Sequence, residues 1–180
     1  MDYFLRVLCL WFCCHGLMAP TFAATAPVFY GSTMQGDSVS LAKLLKPKRL
    51  LFLSFWATWC LPCLMELQKL KEHLAKEPNL NLDIMTINVD STETQTDVKP
   101  TLRLYGLKFP VMLDTAHDIL NRYHPDGTLP FSVLVNASGE IVEPFSGYSE
   151  DLFERVKVRL AAMGGRQMMT RSDAAKPPRG

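Results

Sequence analysis

The sequence predicts a single α/β domain in which a mixed β-sheet is covered by helices. Apolar runs of strand length alternate with segments of helical period along most of the chain, which indicates strands joined by helices. Two further strand-like segments flank the turn sequence A-S-G and indicate a hairpin, and an amphipathic helix follows them. A chain of 180 residues is long enough to bury a sizeable core in one such domain.

The individual elements are predicted from the spacing of apolar residues. The run at 50–55 is almost continuously apolar and predicts a strand that is covered on both faces. From Leu64 to Leu74, leucines recur at spacings of three and four, so we expect an amphipathic helix that begins near Pro62. Residues 27–49 are expected to form a loosely structured lead-in. The remaining predicted elements are helices at 41–45 (capped by Ser40), 98–105, 117–123 and 151–163, and strands at 82–89, 109–114, 131–136 and 140–144.

The N-terminus has the features of a targeting segment. Arg6 precedes an apolar run at 7–18, which has the length of a signal-peptide core and is short for a bilayer span. Small residues follow this run, so residues 1–23 are interpreted as a signal peptide of a periplasmic or otherwise exported protein, with an uncleaved membrane anchor as the alternative. We expect the folded domain at 27–163 and a disordered tail at 164–180.

The composition limits the classes of function. With 19 basic and 18 acidic residues the net charge is about +1, which gives no electrostatic reason to expect a nucleic-acid partner, and we expect a monomer. Removal of the signal segment would leave Cys60 and Cys63 without any other cysteine to pair with in an oxidising compartment. The cysteines inside that segment are Cys9, Cys13 and Cys14.

Cys60 and Cys63 occur where the predicted buried strand gives way to the predicted helix. The unpaired N–H groups and the macrodipole of a helix N-terminus favour negative charge. A thiol, whose pKa is ordinarily about 8.5, becomes more acidic there, and the thiolate is the form that attacks disulfides. This placement predicts that Cys60 is an exposed nucleophile and that Cys63, one helical turn further on, is a sheltered thiol that resolves a mixed disulfide.

Other uses of a cysteine pair require further sequence features. A structural zinc site needs four ligands, and the four histidines show no zinc-type spacing. Haem attachment requires histidine directly after the second cysteine, where this chain has Leu64. A permanent structural disulfide would close a very short loop and stabilise the fold little. Two thiolates also suit Cu(I), so a copper chaperone stays open as a binding-class alternative.

The stretch F-W-A-T-W-C-L-P-C, followed by Glu66, resembles thioredoxin-fold proteins, and most closely the exported TlpA/ResA-type thiol–disulfide oxidoreductases. The resemblance extends over 36–147, and the segment 90–123 is similar to the central insertion of that group. It implies a thioredoxin-like sandwich whose redox-active disulfide serves without a cofactor. It also implies that the protein reduces disulfides in exported proteins, for example apocytochrome c. A membrane thiol donor would then reduce the Cys60–Cys63 disulfide again. An oxidase or isomerase of the same fold is the enzymatic alternative.

The same resemblance assigns roles to residues around the two cysteines. Pro130 matches the cis-proline that faces the cysteines, and the backbone of Leu129 would pair with an extended segment of the substrate. Trp59 is expected to wall the site together with Trp56, which precedes it in the motif. The dipeptide between the cysteines, Leu61-Pro62, completes the predicted active-site support.

The acid that accepts the proton of the second cysteine is less well defined by the resemblance. Thioredoxins carry a buried carboxylate in the strand before the motif, where this chain has Ser54. Asp90, at the end of the second strand, is the first candidate in its place and Glu66 is the second, with a solvated acid as the alternative for each. Gln68 occupies a position where many relatives place a helix-kinking proline, which affects the expected shape of the helix alone.

Overall fold

The computed structural model describes residues 24–174, with side-chain surroundings as far as residue 164. The predicted signal peptide at 1–23 and the last part of the predicted tail lie outside these residues. Within the described part of the chain, no helix combines the length and the apolar character that a membrane crossing needs.

Strands and helices alternate in the order that the sequence predicts. The strands are β1 (Tyr30–Ser32), β2 (Ser38–Ser40), β3 (Leu50–Trp56), β4 (Leu82–Asn88), β5 (Val111–Leu113), β6 (Phe131–Val135) and β7 (Ile141–Ser146). The helices are α1 (Leu41–Leu44), α2 (Leu61–Lys76), α3 (Val98–Leu104), α4 (Asp118–Tyr123) and α5 (Leu152–Ala174), with a 3-10 turn at Gln95–Asp97. The segment at 90–123 forms this turn, α3, β5 and α4, and its identity as the family's central insertion stays a prediction.

The main sheet is mixed, as predicted, with the strand order β5-β4-β3-β6-β7. Strand β4 runs parallel to β3 and to β5, whereas β6 runs antiparallel to both β3 and β7. All seven residues of β3 are buried, which is why its sequence is almost continuously apolar. The carboxyl end of β3 therefore lies in the middle of the sheet and beside the amino end of β6.

The lead-in is more ordered than the sequence predicts. Strands β1 and β2 form an antiparallel hairpin, and its turn contains Gly36 with a positive φ of 93°, a conformation that glycine adopts without strain. The side chain of Ser40 then accepts a hydrogen bond from the Lys43 backbone N–H at 3.3 Å, which confirms the predicted N-cap of α1. Strands of three residues contain too few positions to show an alternating pattern, so the sequence gives no signal for the hairpin.

The predicted disordered tail is corrected in part, because α5 continues past Gly164 to Ala174. The sequence after residue 163 lacks the helical period of apolar residues, and each of the two glycines at 164–165 costs about 1 kcal/mol relative to alanine within a helix. The residues that follow, R-Q-M-M, are good helix formers and continue the element.

The first described residues cross from one end of the sheet to the other. Ala24 accepts a hydrogen bond from the Ile141 N–H at 2.7 Å, beside the turn that joins β6 to β7. This turn lies at the end of the sheet opposite to the carboxyl end of β3, because β6 is antiparallel to β3. Further along, Phe29 is buried against the ring of Tyr123 in α4, and the Tyr123 hydroxyl donates to the Pro27 carbonyl at 2.7 Å.

Replacing Tyr123 with phenylalanine is expected to destabilise the protein. The Tyr123→Phe variant keeps the ring but leaves the Pro27 carbonyl without its donor, so we expect the free energy of unfolding to fall by about 1 kcal/mol in urea denaturation. Tyr30→Phe is the matched control, because that side chain is exposed and should change stability by less than about 0.5 kcal/mol. Equal effects of the two substitutions would contradict this role of Tyr123.

Candidate functional site

The two cysteines are joined in a disulfide at the amino end of α2. The Sγ atoms of Cys60 and Cys63 are 2.05 Å apart, and Cys60 is the N-cap residue of the helix. The backbone N–H of Cys63 donates to the Cys60 Sγ at 3.3 Å, so one of the free donors of the helix N-terminus points at this sulfur. A negative charge on the Cys60 sulfur would be stabilised by that donor and by the helix macrodipole.

The predicted exposure of Cys60 is wrong for the disulfide form. Cys60 is 5 % exposed and Cys63 is 1 % exposed, so both are buried. Cys60 is the more exposed of the two, as predicted. The neighbours take the exposed positions instead, since Trp59 is 66 % exposed and Leu61 is 57 % exposed. Together with Pro62, which is also exposed, they form an apolar rim around the buried sulfurs.

Trp56 does not belong to this rim. Its side chain is fully buried at the end of β3, so the expectation that it walls the site is corrected to a role in the core. The position is the last of the central strand, where a large side chain fills the space between the sheet and its helices. Its indole N–H has no hydrogen-bond partner among the described residues.

The peptide bond between Leu129 and Pro130 is cis, which confirms the sequence prediction. Pro130 directly precedes β6, and the first residue of β6, Phe131, pairs with Phe55 near the end of β3. The proline therefore lies at the same end of the sheet as the disulfide. The Pro130 carbonyl accepts from the Gly147 N–H at 2.8 Å, whereas no hydrogen bond joins the Leu129 backbone to another described residue.

Asp90 lies in a network that holds the turn before Cys60. The carboxylate is fully buried and accepts from the Thr58 N–H at 2.8 Å, the Thr58 hydroxyl at 2.6 Å and the Asn88 side-chain amide at 2.7 Å. Both carboxylate oxygens are thus engaged by donors, two of which belong to the turn. The geometry suits a residue that positions Cys60 better than one that takes up a proton.

Glu66 is the second buried acid near the disulfide. It lies one helical turn after Cys63, which places the two side chains on the same face of α2, and it is only 4 % exposed. The Ser132 hydroxyl donates to its Oε1 at 3.0 Å, and Ser132 pairs across the sheet with Ser54. Burial raises the pKa of Glu66 to about 7, and the hydrogen bond from Ser132 opposes this only in part.

Three members of these networks were not predicted from the sequence: Thr58, Asn88 and Ser132. Their roles depend on contacts between separate segments, which a single sequence does not reveal. A signal was present for the burial of Glu66, because position 66 lies three residues after Cys63 and four before Leu70, inside the apolar stripe of the helix. Among residues 24–174, no group of three or more His, Cys, Asp or Glu side chains is arranged to hold a metal ion.

A disulfide at the amino end of a helix that follows the central strand, beside a cis-proline that begins an antiparallel strand, defines a thioredoxin-like protein. Residues 16–151 match the AhpC/TSA family, and the chain belongs to that family.

Several relatives of the chain are named for thiol–disulfide chemistry. The thiol-disulfide oxidoreductase ResA of Bacillus thuringiensis (strain Al Hakam) is 38% identical over 122 residues, which is 68% of either chain. The sporulation thiol-disulfide oxidoreductase A of Bacillus subtilis is 32% identical over 119 residues, or 66% of this chain and 70% of the relative. The structure of a thioredoxin-family thiol:disulfide interchange protein from Chlorobium tepidum superposes with a TM-score of 0.64 at 28% identity, covering 79% of this chain and 99% of that one.

The ionisation of Glu66 should make stability depend on pH. Because the pKa of this carboxyl is about 7 in the folded protein and 4.5 ordinarily, the folded state binds the extra proton between these values. The free energy of unfolding therefore decreases as the pH rises through this window, by up to about 3 kcal/mol in total.

Glu66→Gln should remove this decrease. Denaturation of the disulfide form from about pH 5 to about pH 8 should show the variant gaining stability relative to the wild type as the pH rises. Glu72→Gln, at an exposed position on the same helix, is the matched control and should follow the wild-type curve. Parallel curves for Glu66→Gln and the wild type would contradict the raised pKa.

Proposed function

We propose that this protein is an exported thiol–disulfide oxidoreductase that reduces disulfides in other exported proteins. The observation that carries the proposal is the Cys60–Cys63 disulfide at the amino end of α2, with Pro130 at the same end of the sheet. The names of the relatives and the AhpC/TSA family match support the reaction type. The apolar run at 7–18 supports export.

In the reduced protein the Cys60 thiolate attacks one sulfur of a substrate disulfide. A bond forms between Cys60 and that sulfur, and the other substrate sulfur leaves as a thiolate that takes a proton from solvent. Cys63 then loses its proton and attacks the Cys60 sulfur, which releases the second substrate sulfur as a thiolate. Two electrons pass from the cysteine pair to the substrate, and the protein is left with the disulfide seen in the structure. A membrane thiol donor would reduce it again.

Glu66 is the group that we assign as proton acceptor for Cys63. It shares a helix face with Cys63, and a carboxyl with a pKa of about 7 can take up and release a proton near neutral pH. Asp90 is assigned to positioning instead, because three donors already occupy its two oxygens. Its carboxylate holds Thr58, two residues before the nucleophile, by backbone and side chain.

The surroundings of the disulfide favour an extended polypeptide as substrate. The free backbone groups of Leu129 offer one N–H and one carbonyl to a passing strand, as an unpaired sheet edge does. The exposed side chains of Trp59 and Leu61 offer apolar contact on either side of Cys60. An unfolded exported protein with a disulfide between apolar flanks fits this surface.

Trapping of the mixed disulfide tests the assigned order of attack. In the full-length chain with Cys9, Cys13 and Cys14 replaced by serine, reduced Cys63→Ser should accumulate a covalent adduct with a disulfide-containing peptide, because Cys60 attacks and no resolving thiol remains. Reduced Cys60→Ser is the matched control, and its buried Cys63 should give little or no adduct in an intact-mass spectrum. An adduct formed mainly by Cys60→Ser would reverse the two roles.

The reduction potential decides the direction of electron flow. We expect the Cys60–Cys63 couple of the full-length protein, equilibrated with a dithiothreitol series, to lie near or below about −230 mV, among protein reductants. A potential above about −180 mV would place the protein with oxidases and isomerases. The absence of a reversible couple would reject the redox function and make Cu(I) binding the next property to measure.

A further inference from the structure

Glu66 lines a small cavity on the flank of α2. The cavity encloses about 20 Å³, which is room for one water molecule. Its walls come from α2 and from the segment that joins β7 to α5 and begins that helix. The lining residues are Glu66, Lys69, Leu70, His73, Ser149, Glu150, Leu152 and Phe153.

The mouth of the cavity is lined by an ion pair at the surface. Lys69 pairs with Glu150, and their side chains are 39% and 75% exposed. The Tyr148 hydroxyl donates to the other oxygen of Glu150 at 2.7 Å, so the bridge ties α2 to the loop after β7. The cavity thus lies between a buried carboxyl and a solvated ion pair, with no other charged side chain in its lining apart from the titratable His73.

At the face of the protein that carries the cysteines, the two sulfurs are already shielded from solvent. Cys60 and Cys63 are 5 % and 1 % exposed, and a substrate bound to Cys60 would cover that face further. Lys69 is nine positions along α2 from Cys60, which at the rise of an α-helix is roughly 13 Å. A substrate held at the amino end of the helix therefore leaves the mouth of the cavity open.

We propose that Glu66 exchanges its proton with solvent through this cavity, by way of one enclosed water, while the substrate still covers the cysteines. The inference rests on the proposed role of Glu66 as proton acceptor. When Cys63 attacks, its proton passes to the Glu66 carboxylate. The carboxyl then gives a proton to the cavity water, which passes one to solvent beside the Lys69–Glu150 pair. One proton leaves and no electrons move in this step.

The groups that face Glu66 agree with such a route. On α2, Lys69 and His73 line the same cavity and Cys63 lies one helical turn before Glu66. On β6, Ser132 donates to the Oε1 atom. The loop after β7 contributes Glu150 at the mouth, whereas the α5 side chains in the lining are apolar. His73 stacks on Phe153 with ring centroids 4.2 Å apart, and both side chains line the cavity.

The test measures how fast the Glu66 carboxyl proton exchanges when the cysteine face is blocked. Full-length Cys63→Ser, with Cys9, Cys13 and Cys14 also replaced by serine, is held as a mixed disulfide between Cys60 and a peptide. It is then mixed rapidly with D₂O and followed in the infrared carboxyl band. Glu66→Gln in the same background identifies the band. Ser149→Leu fills the cavity and Lys69→Ala removes the bridge across its mouth. Ser138→Leu, at an exposed turn at the other end of the sheet, is the matched control.

With the cysteine face blocked, exchange should stay as fast as without the peptide. Ser149→Leu should lower the exchange rate of the Glu66 proton at least about tenfold, because exchange then requires local opening of the structure. Lys69→Ala should leave it unchanged or faster, and Ser138→Leu should behave as the wild type. Slow exchange on peptide binding together with no effect of Ser149→Leu would overturn the route.

A separate measurement distinguishes failure of the route from failure of the proposed function. If single-turnover resolution of the mixed disulfide, measured with Cys63 intact, is as fast in Glu66→Gln as in the wild type, then Glu66 is not the acceptor. The exchange rates would still show whether the cavity is its path to solvent. Slow resolution in Glu66→Gln combined with cavity-independent exchange would reject the route and keep Glu66 as the acceptor.

Discussion

The candidate site depends on the complete burial of β3 between β4 and β6. Because every side chain of β3 is covered, a shift of its register would move large apolar residues into mismatched positions on both faces. The end of the strand, and with it the start of the next turn, is therefore fixed. That turn places Cys60 at the amino end of α2, and the antiparallel neighbour β6 brings Pro130 to the same end.

Two buried carboxyls near the disulfide have different properties because their surroundings differ. The Asp90 carboxylate accepts three hydrogen bonds, which stabilise a fixed arrangement of the turn before Cys60. Among the described residues Glu66 has a single side-chain donor, Ser132, and it is buried beside one small cavity. A buried acid with few donors holds its charge poorly, which is the property required of a group that takes up a proton and passes it on.

Local patterns were sufficient to predict β3, α2 and the cysteine pair, since a continuous apolar run and a regular leucine spacing are properties of short stretches. Local patterns did not predict which of Asp90 and Glu66 is better suited to accept the proton of Cys63. This depends on which side chains donate to each carboxyl, and the donors Thr58 and Ser132 come from other segments. The hairpin of β1 and β2 was missed for a different reason, because strands of three residues are too short to show an alternating pattern.

The entry of the chain into the domain has a geometric consequence. Ala24 is pinned beside the turn between β6 and β7, and β3 carries the chain from that end of the sheet towards Cys60. Seven strand residues span roughly 20 Å, so the two locations are separated by about the full depth of the sheet. Any attachment made immediately before residue 24 would therefore hold the domain at the end of the sheet that lies opposite to Cys60. The end of the domain that contains the disulfide would then face away from the attachment and stay accessible to large polypeptides.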